Sequence, residues 1–136
     1  MTQMFPYATA VYAAVLGLLG AILTVNVIVN RARHNVLYGD GGVPALTQAI
    51  RAHCNFAEQV PLALILVGLV EAFAWRSAVI HGLGVVLLVG RLLSAWGLAT
   101  TMTLSFGRQA GATLTVIVVV VASALILYSG ADSFMR

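Results

Sequence analysis

Arg51, Asn55 and Glu58 recur at spacing i, i+4, i+7. On an α-helix that spacing places all three along one face. Gln48, at i−3, extends the stripe. A cation, an amide and an anion in one row suit a small ligand with both carboxylate and ammonium groups. An arginine fork grips a carboxylate through two parallel hydrogen bonds, and a glutamate holds an ammonium. Hydrolysis and phosphoryl transfer have nothing to work with, because the sequence has no Ser-His-Asp set, no P-loop and no paired carboxylates. A single cysteine, Cys54, excludes an internal disulfide and a zinc site built from thiolates. It reads as a packed, inert residue, and no metal site is expected.

The elements that carry this stripe belong to an apolar chain. Of 136 residues, 61% are hydrophobic and only 8% are charged, and the mean hydropathy is +1.01. An ordinary soluble domain is about a quarter charged, and a soluble core of this size leaves too much surface exposed to hide so many apolar side chains. The composition excludes a soluble enzyme, a disordered region and a disulfide scaffold. It predicts an integral membrane protein of one domain with four spans, at roughly 20 apolar residues each. The runs lie at about 7–29, 45–75, 77–100 and 110–128. The Val and Ile of the last run do not make strands, since an isolated strand in lipid leaves its backbone unpaired. The first third of the second run is polar: Gln48, Arg51, His53, Asn55, Glu58, Gln59. Insertion of an Arg or Asp at a helix centre costs roughly 2.5–3.5 kcal/mol, and less near the ends, so this stripe must face a helix, water or a ligand.

All seven basic residues are arginines, against four acids, for a net charge of +3. They form no cluster or stripe of the kind that binds nucleic acid. They lie near the ends of apolar runs, where they orient the chain. The segment Met1 to Pro6 has no Arg or Lys, so it reads as the lead of a retained first span rather than a signal peptide. Loop one holds Arg31 and Arg33, and loop three Arg108. Loop two holds Arg76 and Glu71. The positive-inside bias puts loops one and three in the cytoplasm, and the termini and loop two outside.

Other residues carry two readings. Arg91, inside the third run, either neutralises Glu58 or helps bind an anionic ligand. A purely internal network would pair Arg51 with Glu58, or either with Arg91, with Asn55 bridging helices. Arg108, in the linker before the fourth run, is a topology anchor or a ligand contact, and Arg31 reads more as an anchor. His53 is a rim contact or a solvated group, and His81 lies at the other membrane side. Gly107-x-x-x-Gly111 fits small-residue helix packing but begins in the linker. Trp75 and Tyr128 read as interfacial anchors.

The run Arg51-Ala52-His53-Cys54-Asn55-Phe56-Ala57-Glu58-Gln59-Val60-Pro61 resembles the R-x-x-N-x-x-E-x-x-P signature of the MAPEG family, membrane-associated proteins in eicosanoid and glutathione metabolism. Gly90-Arg91-Leu92-Leu93 resembles that family's third-helix motif, and Tyr38-Gly39-Asp40-Gly41-Gly42 its bacterial branch. The resemblance implies an all-α, left-handed four-helix membrane bundle assembled as a homotrimer in a bacterial inner membrane. Glutathione, as co-substrate, would bind between subunits toward the cytoplasm. Arg51, Asn55 and Glu58 would hold it, with Arg91 beside them and Gln48, His53, Ser94 and Arg31 as further contacts. Arg108 would favour its thiolate, as any nearby cation lowers a thiol pKa. A lipophilic electrophile or lipid would arrive from the bilayer. Two departures stand out: Ser94 replaces a His that many relatives have, and Leu98 occupies the region of a Tyr in the eicosanoid enzymes.

The expected activity is that of a membrane-bound glutathione transferase, with peroxidase activity toward lipid hydroperoxides as an extension. A non-catalytic glutathione or lipid pocket on the same fold is the alternative. A small transporter is the third possibility, though the first run lacks the acidic residue common in short drug exporters.

Overall fold

A computed structural model of the chain defines residues 5–100 and 106–134, with side chains defined except at 98–100 and 133–134. The Leu98 side chain, Ser105 and Arg136 therefore lie outside the described residues. The fold has four helices: α1 (Tyr7–His34), α2 (Pro44–Ala72), α3 (Ser77–Thr100) and α4 (Phe106–Phe134). All four are long and apolar enough to cross a membrane.

The helices run up and down in sequence order. α3 packs most extensively on α4 and α1 on α2, while α2 touches all three neighbours. The core draws on every helix: Leu16 from α1, Val60, Ala63, Val67 and Val70 from α2, Ile80, Leu83 and Leu87 from α3, Val118 and Ala122 from α4. The four α2 residues recur every three or four positions, the interval that keeps one face inward. Outward-facing apolar residues such as Val11, Val15, Leu18 and Ile22 of α1 are exposed, which in a soluble protein would be costly and in a bilayer is solvation by lipid.

Three helix ends differ from the sequence reading. α1 continues past Val29 through Arg31, Arg33 and His34, and ends on Asn35 in the left-handed region at φ 54°. Basic residues in a last turn suit the negative end of the helix dipole. α2 stops at Ala72, so Glu71 belongs to its last turn and not to loop two. α4 begins at Phe106, so Gly107, Arg108 and Gln109 are helical and not linker. Hydropathy locates the part of a helix in hydrocarbon, and α1 and α4 run beyond that part, whereas α2 ends before the apolar Phe73, Ala74 and Trp75.

The α1–α2 connection is fixed at both ends. Arg31 Nη1 donates to the carbonyls of Gly39 (2.9 Å), Leu37 (3.2 Å) and Val36 (3.4 Å). Asp40 accepts the Gly42 amide at 3.1 Å and the Thr47 hydroxyl at 2.8 Å. Gly39, Gly41 and Gly42 all have positive φ, at 64°, 58° and 70°, which only glycine adopts without steric cost.

Candidate functional site

α2 and α4 bring residues from distant parts of the chain to one cleft. It has a volume of about 80 Å³ and is lined by Arg51, Cys54, Asn55, Glu58 and Arg108. The three stripe residues are there because helical periodicity aligns them. Arg108 joins them because α4 starts two residues before it, at the same end of the bundle as the polar start of α2. A helix N-terminus carries partial positive charge, so Arg108 in the first turn adds a full cation to a site already favourable to anions. Cys54 is exposed in this cleft. The expectation of a packed thiol is corrected: position 54 follows Arg51 by three residues, and the same periodicity turns it outward.

Of the predicted internal network, Asn55 does bridge helices, from α2 to Arg91 on α3, but the ion pairs do not form. Among the described residues no hydrogen bond or ion pair joins Arg51 to Glu58, or Arg91 to either. Both Arg51 and Glu58 are exposed at the cleft. Arg91 instead lies behind it, only 1% exposed. Its Nη1 donates to Asn55 Oδ1 at 3.1 Å and to the Asn55 carbonyl at 3.4 Å. Its Nη2 donates to Ser94 Oγ at 2.9 Å and to the Gly111 carbonyl at 3.4 Å. The reading of Arg91 as the neutraliser of Glu58 is therefore replaced by a buried guanidinium that bonds only neutral acceptors. Ser94 is 3% exposed and does not line the cleft.

The remaining candidates fall elsewhere. Gln48 lines a second cleft of about 190 Å³ with Asn26, Asn30 and three alanines, between α1 and α2. It sits on the α1 side of Asn55, whereas Arg51, Cys54 and Glu58 sit on the other. His53 is half-buried and is not among the residues lining the Arg51–Arg108 cleft. Arg31 holds the loop carbonyls described above and faces a separate surface hollow with Val36 and Leu37. Among the described residues no cluster of three or more His, Cys, Asp or Glu could hold a metal ion.

Two features go beyond the sequence reading, the first of them by strengthening it. The first is the close α3–α4 crossing. At Gly111 an added Cβ would collide with Ser94 Oγ and the Gly90 carbonyl, and would stand 2.7 Å from the Ser94 nitrogen. At Gly107 it would stand 3.1 Å from the Leu93 carbonyl. Gly107-x-x-x-Gly111 is thus a true small-residue packing face, because α4 begins before it. The second lies at the opposite end of the bundle. There Glu71 receives the backbone of α1, Tyr12 Oη pairs with His81 Nδ1 at 3.1 Å, and Trp75 Nε1 donates to Ser129 Oγ at 2.9 Å. A carboxylate at the end of one apolar run, beside the start of another with no capping side chain of its own, is the signal that could have found the first of these contacts.

The architecture and the cleft define a class: a four-span helical membrane protein with an arginine-flanked polar cleft at one end of the bundle. The chain belongs to the MAPEG family, whose model matches residues 9–128. It is 37% identical over 89 residues to the inner membrane protein YecN of Escherichia coli K12, an alignment covering 65% of this chain and 68% of that one. YecN of E. coli O6:H1 matches with the same identity and coverage. With four apolar spans and an inner-membrane relative, the protein is a multi-pass inner membrane protein.

Proposed function

We propose that this protein is a membrane-bound glutathione transferase that conjugates lipophilic electrophiles and reduces lipid hydroperoxides. The observation that carries the reading is the meeting of Arg51, Asn55, Glu58 and Arg108 in one cleft. Arg51 takes a glutathione carboxylate, Glu58 the ammonium and Asn55 a backbone or carboxylate oxygen. Arg108 and the N-terminus of α4 stabilise the thiolate, which attacks an electrophilic carbon and displaces its leaving group. With a hydroperoxide, the thiolate attacks the terminal oxygen and releases the alcohol, and a second thiol converts the resulting sulfenic acid to disulfide and water.

Ligand pockets enclose about 300–1,000 Å³, so the 80 Å³ cleft of one chain accommodates part of a tripeptide. The rest is enclosed by a neighbouring subunit of a homotrimer. The cleft lies at the end of the bundle shared by loops one and three, which the arginine distribution assigns to the cytoplasm, with both termini outside. Glutathione then arrives from the cytoplasm and the electrophile from the bilayer.

The test is an ultraviolet difference spectrum of the detergent-purified protein titrated with glutathione, beside Arg108→Ala. A saturable thiolate band that disappears in the variant supports the transferase. Binding by calorimetry without any thiolate band identifies a non-catalytic pocket. Ser94 favours that second reading in one respect: buried against α4 and bonded to Arg91, it offers no group to a reacting sulfur.

A further inference from the structure

Arg91 is a buried cation in a helix whose one other ionisable residue, His81, lies at the opposite end, and nothing in the proposed chemistry requires it to reach the thiol. A buried guanidinium is costly unless its donors are engaged. Here the two terminal nitrogens are engaged in three directions, while Nε is buried without a hydrogen-bond partner among the described residues. Nη1 holds both the side-chain and main-chain oxygens of Asn55 on α2 (3.1 and 3.4 Å). Nη2 holds Ser94 Oγ on its own helix and the Gly111 carbonyl on α4 (2.9 and 3.4 Å). The same Gly111 carbonyl accepts the Thr115 hydroxyl at 3.0 Å. Gly111 lies three residues beyond Arg108, one helical turn, and the missing side chains at Gly90 and Gly111 let α4 come close enough for that bond. Asn55 lines the cleft and Arg91 does not.

We propose that Arg91 is the positioning residue of the cleft: it ties Asn55 on α2 to the first turns of α4, and so sets Arg108 opposite Arg51 and Glu58, without itself touching the ligand. The role rests on reading the cleft as a thiol site. It explains the residue type. A guanidinium is a planar fork whose donors reach two helices at once, whereas a lysine ammonium presents its donors from one point.

A double-mutant cycle tests it. Glutathione affinity is measured by calorimetry on the detergent-purified protein for Arg91→Lys, Asn55→Ala and the double variant. If Arg91 acts through Asn55, each single change weakens binding about tenfold, and the double variant binds no more weakly than Asn55→Ala. The thiolate absorbance per bound glutathione also falls in Arg91→Lys, because Arg108 is displaced. Multiplicative losses would show that Arg91 grips the ligand itself and would overturn the proposal, as would wild-type affinity and absorbance in Arg91→Lys. If Arg91→Lys does not fold, Ser94→Ala takes its place with the same two outcomes. If the wild type binds no glutathione, the thiol reading fails independently. The cycle is then read in thermal unfolding, where coupled losses support the tie and additive losses overturn it.

Discussion

The Glu71 carboxylate, in the last turn of α2, caps α1 through Thr9. Its Oε2 accepts the Thr9 amide at 2.8 Å and the Thr9 hydroxyl at 2.6 Å, and its Oε1 accepts the Ala8 amide at 2.9 Å. α1 has no capping side chain of its own, since Pro6 precedes it. The first amides of a helix have no partner within the helix, and at the edge of a bilayer few alternatives exist. A carboxylate there also meets the positive end of the α1 dipole.

Removing that carboxylate should therefore destabilise the bundle without touching the Arg51–Arg108 cleft at its other end. Glu71→Ala is expected to cost about 2 kcal/mol, the combined scale of a lost cap and of hydrogen bonds to a charged acceptor. Thr9→Val, which removes only the hydroxyl bond, is expected to cost about half as much. Denaturation in detergent gives the stability and calorimetry the glutathione affinity. Unchanged stability in Glu71→Ala would show that water satisfies the α1 amides equally well.

Gly111→Ala should be the most damaging small substitution in the bundle. The added methyl meets the Gly90 carbonyl and the Ser94 nitrogen, and neither backbone group can swing aside as a side chain could. Overpacking of this kind costs about 1–3 kcal/mol, and the separation of α4 from α3 would carry Arg108 away from α2. Gly17→Ala is the control: nothing lies within 4 Å of its would-be Cβ, and it should unfold no more easily than the wild type. Alanine has the higher helix propensity, so a Gly111→Ala protein as stable as Gly17→Ala would show that the crossing relaxes without cost.

The spans were legible because only a bilayer solvates apolar runs of that length in so small a chain. The stripe of Arg51, Asn55 and Glu58 was legible because polar residues at helical spacing in such a run must converge. The helix ends were not. Phe106-Gly107-Arg108-Gln109 looks like a connector, since a glycine and two polar residues follow the usual composition of a loop, yet α4 needs that glycine against Leu93 and Gly97 of α3. Gln48 shows the limit of periodicity. It lies close to Asn55 in helical angle, but α1 covers that flank and gives it a different cleft. Arg91 could be recognised as expensive, but whether its donors met Glu58 or Asn55 depended on how α3 rotates against α2.

Loop one should respond to acid. Asp40 lies outside the spans, and its carboxyl is held below its ordinary value by the Gly42 amide and then by the Thr47 hydroxyl. A carboxyl with a lowered pKa in the folded state stabilises that state above its unfolded pKa, and the contribution is lost as pH falls through the folded value. The wild type should therefore exceed Asp40→Asn in thermal stability at neutral pH, with the gap narrowing below about pH 4. A gap of constant size down to about pH 3 would place the effect in packing rather than charge.

Arg51 and Arg108 share a cleft but should fail differently. Arg51 belongs to the polar stripe of α2 beside Asn55 and Glu58, and its fork suits a carboxylate far from the reacting sulfur. Its loss removes ground-state binding, so Arg51→Ala should raise the glutathione dissociation constant about tenfold or more and leave turnover of the bound complex nearly intact. Arg108 stands at the positive end of α4, where the proposed transferase chemistry requires charge to be stabilised as the thiol ionises. Arg108→Ala should lower turnover by about 100-fold, the scale of losing one electrostatic stabiliser at a reacting anion, with a smaller change in affinity. Steady-state kinetics with a model electrophile, paired with calorimetry, separates the two effects. Equal losses of affinity with unchanged turnover in both variants would make the arginines two halves of one carboxylate grip and would remove Arg108 from the chemistry.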